Sequence, residues 1–259
     1  MKKIFFLALL LSVVSCKKVN LDGLGFPSES LTQYEFDAYA DPEIEIADSF
    51  KINPSNYHLI TLNSFSEETG ETYKIYGVYI GDTNSIATDS IILYMHGQSR
   101  HNDFYWTRAS LLANTGSKHK YGVLMIDYRG YGLSEGKPSE DGLYADVDAA
   151  LQWLKLNGLT NSRLMMYGFS MGTAPACELT NEPRSMLPAK LILEAPFASA
   201  DVMANDASGL NMPGSFFTNL KIDNAEEIKT ISQPFCWIHG TNDNFLNINT
   251  HGEVVYKNY

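Results

Sequence analysis

Two serines stand at the centre of the pattern Gly-x-Ser-x-Gly: Ser170 in "GFSMG" and Ser134 in "GLSEG". The pattern suits nucleophilic catalysis. A serine on a sharp turn presents its hydroxyl, and small residues two positions away let the backbone close around it. Two matches in one chain mean that context must decide. Ser170 follows the apolar run "RLMMY" and precedes "TAPACELT", which reads as a helix whose Pro175 falls in the tolerant first turn. Ser134 comes several residues after the run "GVLMID" and is followed by "KP", so it reads as loop. Ser170 is the candidate nucleophile; its alternative is a Gly-rich turn that only packs a helix against a sheet.

An acyl-transfer serine needs donors for a developing oxyanion. The N–H of Met171, at the start of the helix after Ser170, lies where such charge would form. A second donor is expected from "YMHGQSRH", where Gly97 allows a close turn and Gln98 supplies the N–H. His96, before that glycine, reads as a structural hydrogen-bonding residue.

Elements must hold these groups together. "SIILYM", "YGVLMID", "RLMMYG", "KLILEA" and "FCWIHG" are short unbroken apolar runs, as in parallel strands buried on both faces. "YHLITL" and "YKIYGVYI" read as an earlier antiparallel pair. Between the runs lie helical patterns. From Ser139 onward Leu143, Val147, Ala150, Leu151 and Leu154 share one face, with Ser139 as cap and Glu140 and Asp141 in the first turn. Strands alternating with helices predict an α/β fold with a mostly parallel, doubly wound sheet, its site at the carboxyl ends of the strands.

The segments "LYMHGQS", "DYRGYGLSEG", "YGFSMGTAPA", "LILEAPFAS" and "KIDNAEEIKTISQPFCWIHGTND" together resemble the α/β-hydrolases. They resemble most the branch near dienelactone hydrolase-like, monoacylglycerol lipase-like and serine aminopeptidase-like enzymes, from about residue 73 onward. The resemblance implies Ser170 as nucleophile, Gln98 and Met171 as oxyanion hole, and Asp243 as triad acid. Asp243 follows "FCWIHG" at a strand's carboxyl end, on the rim where Ser170 is expected; a turn or cap aspartate is the alternative. Glu194 is the second choice of acid. Asp127 and Arg129 are implied to be structural.

The triad order in that fold is Ser, acid, His. The only histidine after Asp243 is His251, a candidate base whose surroundings "NTHGEVVYKN" read as the start of a helix, where relatives often carry a non-catalytic polar residue. The other five do not fit. His58 precedes the central runs, His119 lies in "SKHKYG", His239 shares a strand end with Asp243, and His96 and His101 flank the oxyanion loop. In the resembling branch a further helix and strand separate acid and histidine, so the resemblance implies an incomplete hydrolase domain over residues 51–259, its last strand, histidine loop and final helix missing, with impaired activity.

Residues 1–15 read as an export signal: Lys2 and Lys3, then eight apolar residues, too few to span a bilayer. "VVSC" resembles a lipobox and marks Cys16 for lipidation, which predicts a membrane-anchored protein of the bacterial cell envelope; an ordinary secretory signal is the alternative. Residues 16–50 read as a tether and the start of the domain. Cys177 and Cys236 are expected to be small buried hydrophobes.

A formal net charge of −11 argues against nucleic-acid binding. No Cys/His cluster has metal-ligand spacing and no dinucleotide fingerprint appears, so no cofactor is expected. The expected partners are a small-molecule acyl or peptide substrate and a membrane. "ADVMANDASGLNMPGSFF" allows a small cap, with Met, Phe and Leu suited to an apolar acyl or aromatic group. The functions in contention are a tethered serine hydrolase, a non-catalytic lipoprotein that keeps the pocket for binding, and a truncated product that does not fold.

Overall fold

The computed structural model describes residues 25–39, 45–115, 121–209 and 213–259. Cys16 and His119 lie outside them.

The apolar runs form one seven-stranded sheet in the order β1-β2-β4-β3-β5-β6-β7. Its strands are β1 (Tyr57–Phe65), β2 (Thr72–Ile80), β3 (Ile91–Met95), β4 (Gly122–Ile126), β5 (Leu164–Phe169), β6 (Lys190–Glu194) and β7 (Phe235–Ile238). β1 and β2 are antiparallel, β2 joins β4 antiparallel, and β3 to β7 run parallel. Every residue of β3 and β4 is buried, as expected for strands covered on both faces.

The helices are α1 (Asn102–Asn114), α2 (Glu140–Leu156), α3 (Thr173–Asn181), α4 (Ala200–Ser208), α5 (Asn224–Glu227) and α6 (Gly252–Asn258). On one face of the sheet, α1 sets Tyr105, Trp106 and Ala109 against Ile92, Tyr94 and Met125. On the other, α2 and α3 pack Val147, Leu151, Ala176 and Leu179 against Leu93, Leu124 and Met166. Ser139 caps α2 by accepting the Gly142 N–H. Ser199 caps α4 by accepting the Val202 N–H, and Gly209 ends it at φ +61°.

The chain from Gly25 to Tyr39 is tied to the domain by named bonds. Ser30 bridges Gly132, and the N–H groups of Glu35 and Phe36 both donate to the Asp103 carboxylate. Phe36, buried at φ +47°, packs on Tyr57 and Trp106. Tyr34 donates to Asp127 at 2.5 Å.

One expectation is corrected here. Cys177 is buried in α3, but Cys236 is exposed. The reason is position in the sheet. β7 is an edge strand whose inner-facing Phe235 and Trp237 are half-buried under Tyr259 and Tyr256, while Cys236 and Ile238 face the other way and are open. The two cysteines are unpaired.

Candidate active site

β5 ends at Phe169, and the next residue, Ser170, takes the left-handed conformation at φ +50°. Only a strong constraint holds a serine there. The constraint is visible on either side. A Cβ on Gly168 would lie 2.5 Å from the Gly172 oxygen, and one on Gly172 would lie 2.1 Å from the Met95 oxygen. The turn therefore closes only with glycine at both places. Behind it, the Thr173 hydroxyl donates to the Ser170 oxygen at 2.6 Å and accepts from Asn224 Nδ2 at 3.1 Å. Asn224 Nδ2 also donates to the Phe197 oxygen at 2.9 Å. Sequence reasoning did not find this support. Thr173 carried a faint signal, a hydroxyl three residues after the nucleophile; Asn224 carried none of its own.

Ser170, Gln98 and Met171 line one cavity of about 240 Å³. Apart from Thr218, the rest of its wall is apolar, including Phe26, Phe197, Met203, Leu220 and Phe245. α4 contributes Ala200, Met203, Ala204 and Ala207, so the small cap expected from the sequence forms one wall. Gly25 and Phe26 also line it, far from the rest in sequence. Gly97 sits against the Phe169 ring and the Tyr105 hydroxyl, which fixes the loop carrying Gln98 beside the turn carrying Ser170. His96 is buried; its Nδ1 lies 2.7 Å from the Gly97 oxygen and its ring stacks on Tyr105.

Asp243 and His251 occupy the loop after β7. Asp243 Oδ1 accepts from the N–H groups of Phe245 and Leu246, at 2.9 and 2.8 Å, and so shapes the turn that brings Phe245 to the cavity. Its Oδ2 lies 3.8 Å from His239 Nε2, which itself lies 2.9 Å from the Leu246 oxygen. His251 is buried just before α6, Nδ1 accepting the Ala198 N–H at 3.1 Å and Nε2 lying 3.2 Å from Asp206 of α4. Burial lowers its pKa, against the opposing pull of Asp206. Among the described residues, no histidine nitrogen makes a hydrogen bond to Ser170.

Glu194 is committed elsewhere. Arg108 donates to both its oxygens, at 2.9 and 3.0 Å, and Tyr167 donates at 2.8 Å. The Arg108 guanidinium lies 4.3 Å from the centre of the Phe169 ring. Ser134 is a structural residue: it donates to the Asp127 oxygen at 2.6 Å and accepts the Tyr76 N–H at 2.9 Å. Arg129 forms a buried fork with Asp146, as short as 2.8 Å, and reaches Ser64.

A profile of the family "Serine aminopeptidase, S33" matches residues 87–234, more than half of the chain. The chain belongs to that hydrolase family. Among curated proteins it is similar to alpha/beta hydrolase domain-containing protein 17C of Mus musculus, with 32% identity over 149 residues, 57% of this chain and 44% of that protein. It is 33% identical over 152 residues to protein 17B of Xenopus laevis, 58% of this chain and 49% of the relative. The chain thus spans less than half the length of these relatives. Among solved structures, it is similar to an esterase of Pyrococcus furiosus, with TM-score 0.59 and 20% identity over 85% of this chain and 84% of that one. It is also similar to an alpha-beta hydrolase of Vibrio vulnificus, with TM-score 0.58 and 20% identity over 89% and 83%. The architecture is the α/β-hydrolase fold, and the chain is a member of a hydrolase family.

Proposed function

We propose that this protein is a serine hydrolase acting on esters, thioesters or amides of small apolar acyl groups through an acyl-enzyme at Ser170. One observation carries the reading: Ser170 is held at φ +50° on the turn between β5 and the following helix, in an apolar cavity that Gln98 and Met171 share. In this reading Ser170 Oγ bonds to the substrate carbonyl carbon and gives its proton to a base. The N–H groups of Gln98 and Met171 stabilise the oxyanion, and the alcohol, thiol or amine leaves with a proton. Water then attacks the acyl-enzyme and regenerates Ser170.

Asp243 is the candidate acid and His251 the candidate base. That role requires His251 to exchange its bonds to Ala198 and Asp206 for one to Ser170. If that exchange does not occur, His251 supplies no base to Ser170; loss of the histidine in a serine protease costs about a million-fold. The oxyanion donors alone would leave some rate above water.

The engagement of His251 with Ala198 and Asp206 favours a second reading, a tethered protein that binds an acyl ligand without turning it over. Fluorophosphonate labelling separates the two. Stoichiometric labelling that Ser170→Ala removes supports the hydrolase; no labelling of a folded protein that still binds an acyl probe supports the second reading. In either reading we propose that Cys16 is lipidated, on the strength of the basic, apolar and "VVSC" segments that end there.

A further inference from the structure

Ser99, next to Gln98 in the loop after β3, takes the left-handed conformation at φ +75°. Serine is rare there, so its neighbours must impose it. One neighbour is the strap from Gly25 to Tyr39, which lies wholly before residue 87, where the match to the family profile begins. The Pro27 oxygen accepts the Ser99 N–H at 3.0 Å, and the Glu29 carboxylate accepts from Arg100 Nη1 at 2.8 Å. The strap is itself braced. The Leu31 N–H donates to the Gly132 oxygen at 2.7 Å, and the Glu29 oxygen accepts the Gly132 N–H at 2.8 Å. Residues 99 and 100 are thus gripped by a segment anchored on the loop between β4 and α2.

The grip bears on the Gln98 N–H. That group belongs to the peptide between Gly97 and Gln98, whose oxygen lies 2.7 Å from His96 Nδ1. The next peptide, between Gln98 and Ser99, is pinned through its N–H by Pro27. Peptide units are planar, so pinning an atom of each restricts how the two planes meet at Gln98. The strap also reaches the cavity. Gly25 and Phe26 line it together with Gln98 and Ser170, and a Cβ on Gly25 would lie 3.2 Å from Leu220 Cδ1 on the same wall. Proline suits the junction between wall and loop, because its ring fixes φ and so limits where its carbonyl points.

We propose that Pro27 is a positioning residue for the oxyanion hole: its carbonyl, braced through Glu29, holds Ser99 so that the Gln98 N–H faces the carbonyl oxygen of a substrate on Ser170. This role rests on the hydrolase reading above. A donor of this type is worth about 100- to 1000-fold in rate, and a displacement of about 1 Å can cost about a hundredfold. The donor acts on charge that forms only in the transition state. A loosened strap therefore lowers kcat and leaves KM for a short ester nearly unchanged.

The experiment compares the full-length parent with Pro27→Gly/Glu29→Ala, by hydrolysis of p-nitrophenyl acetate and by the rate of fluorophosphonate labelling. Both kcat and the labelling rate should fall about ten- to hundredfold, with KM nearly constant. Pro27→Ala keeps the carbonyl without the freedom of glycine and should retain most of the rate. Glu29→Ala alone should give a smaller loss in the same direction, which keeps the test open if the double variant does not fold. Asp37→Asn is the control for stability. It disturbs the same strap at its 2.7 Å bond from Trp106 Nε1, and it should lower the melting temperature while sparing kcat. A labelled parent whose double variant reacts at the parent's rate would overturn the role of Pro27 alone, as would an equal loss of kcat in Asp37→Asn. A folded parent that takes no label would remove the hydrolase reading, and the role of Pro27 with it.

Discussion

Nδ1 of His251 accepts the backbone N–H of Ala198, so one imidazole at the head of α6 secures the loop that follows β6. An accepting Nδ1 carries no proton, which places the ring's single proton on Nε2, facing Asp206 at 3.2 Å.

That tautomer makes stability depend on pH. Burial lowers the folded-state pKa of His251 below its ordinary 6.5. Between the two values the unfolded chain binds more protons, so stability rises with pH. The contribution is complete above pH 6.5, falls as pH drops below it, and is gone below the folded pKa. Thermal melting from pH 8 to pH 5 should show this slope. His251→Asn, which keeps an acceptor near the Ala198 N–H and cannot titrate, should remove the slope. A parallel slope in the variant would place its origin elsewhere.

The two serines should separate cleanly. Ser170→Ala should abolish fluorophosphonate labelling and leave the melting temperature nearly unchanged, because its hydroxyl makes no structural bond among those described. Ser134→Ala should retain labelling but lose about 1–3 kcal/mol of stability, since it leaves the Tyr76 N–H without its acceptor. Labelling and chemical denaturation, run on the same preparations, read both effects.

A cavity of about 240 Å³ limits the acyl group. With p-nitrophenyl esters, kcat/KM should rise about fourfold per added CH₂ while the chain still finds apolar wall, and then fall. Ala204→Phe, on the α4 wall, should move the optimum to shorter chains with little effect on the acetate ester. An unchanged optimum would remove α4 from the binding wall.

Arg129 and Asp146 are both buried, joined by a fork. Arg129→Met should cost about 3–5 kcal/mol by leaving a buried carboxylate uncompensated. Arg129→Lys should cost less, keeping the charge without the fork. Urea unfolding midpoints at constant slope would measure the difference.

Radiolabelled palmitate should enter the protein in cells that lipidate exported proteins, and Cys16→Ala should abolish incorporation. Incorporation that survives the substitution would exclude Cys16 as the attachment point.

The strands were legible because burial on both faces writes itself as unbroken apolar runs, and α2 because its cap and one-sided pattern are local. The turn at Ser170 was legible for the same reason: strand, glycines and helix are contiguous. What escaped was set by partners far away in the chain. Nothing near Cys236 announces that β7 is an edge with one open face. Glu194 reads as a free carboxylate at a strand end until Arg108, 86 residues earlier, is seen to hold it. Asn224 matters only because Thr173 and Phe197 come within reach. Local pattern carries backbone conformation; it does not carry which distant side chain closes a hydrogen bond.

Gly25 and Phe26 belong to the cavity wall, and the bonds from Ser30 and Phe36 keep this stretch on the domain surface. Eight residues lie between Cys16 and Gly25, nine steps of the chain. Even drawn out fully, they reach about 30 Å. Were Cys16 acylated as proposed, the cavity wall at Phe26 would stay within about a bilayer's thickness of the membrane surface, and the tether would set the distance at which the cavity works.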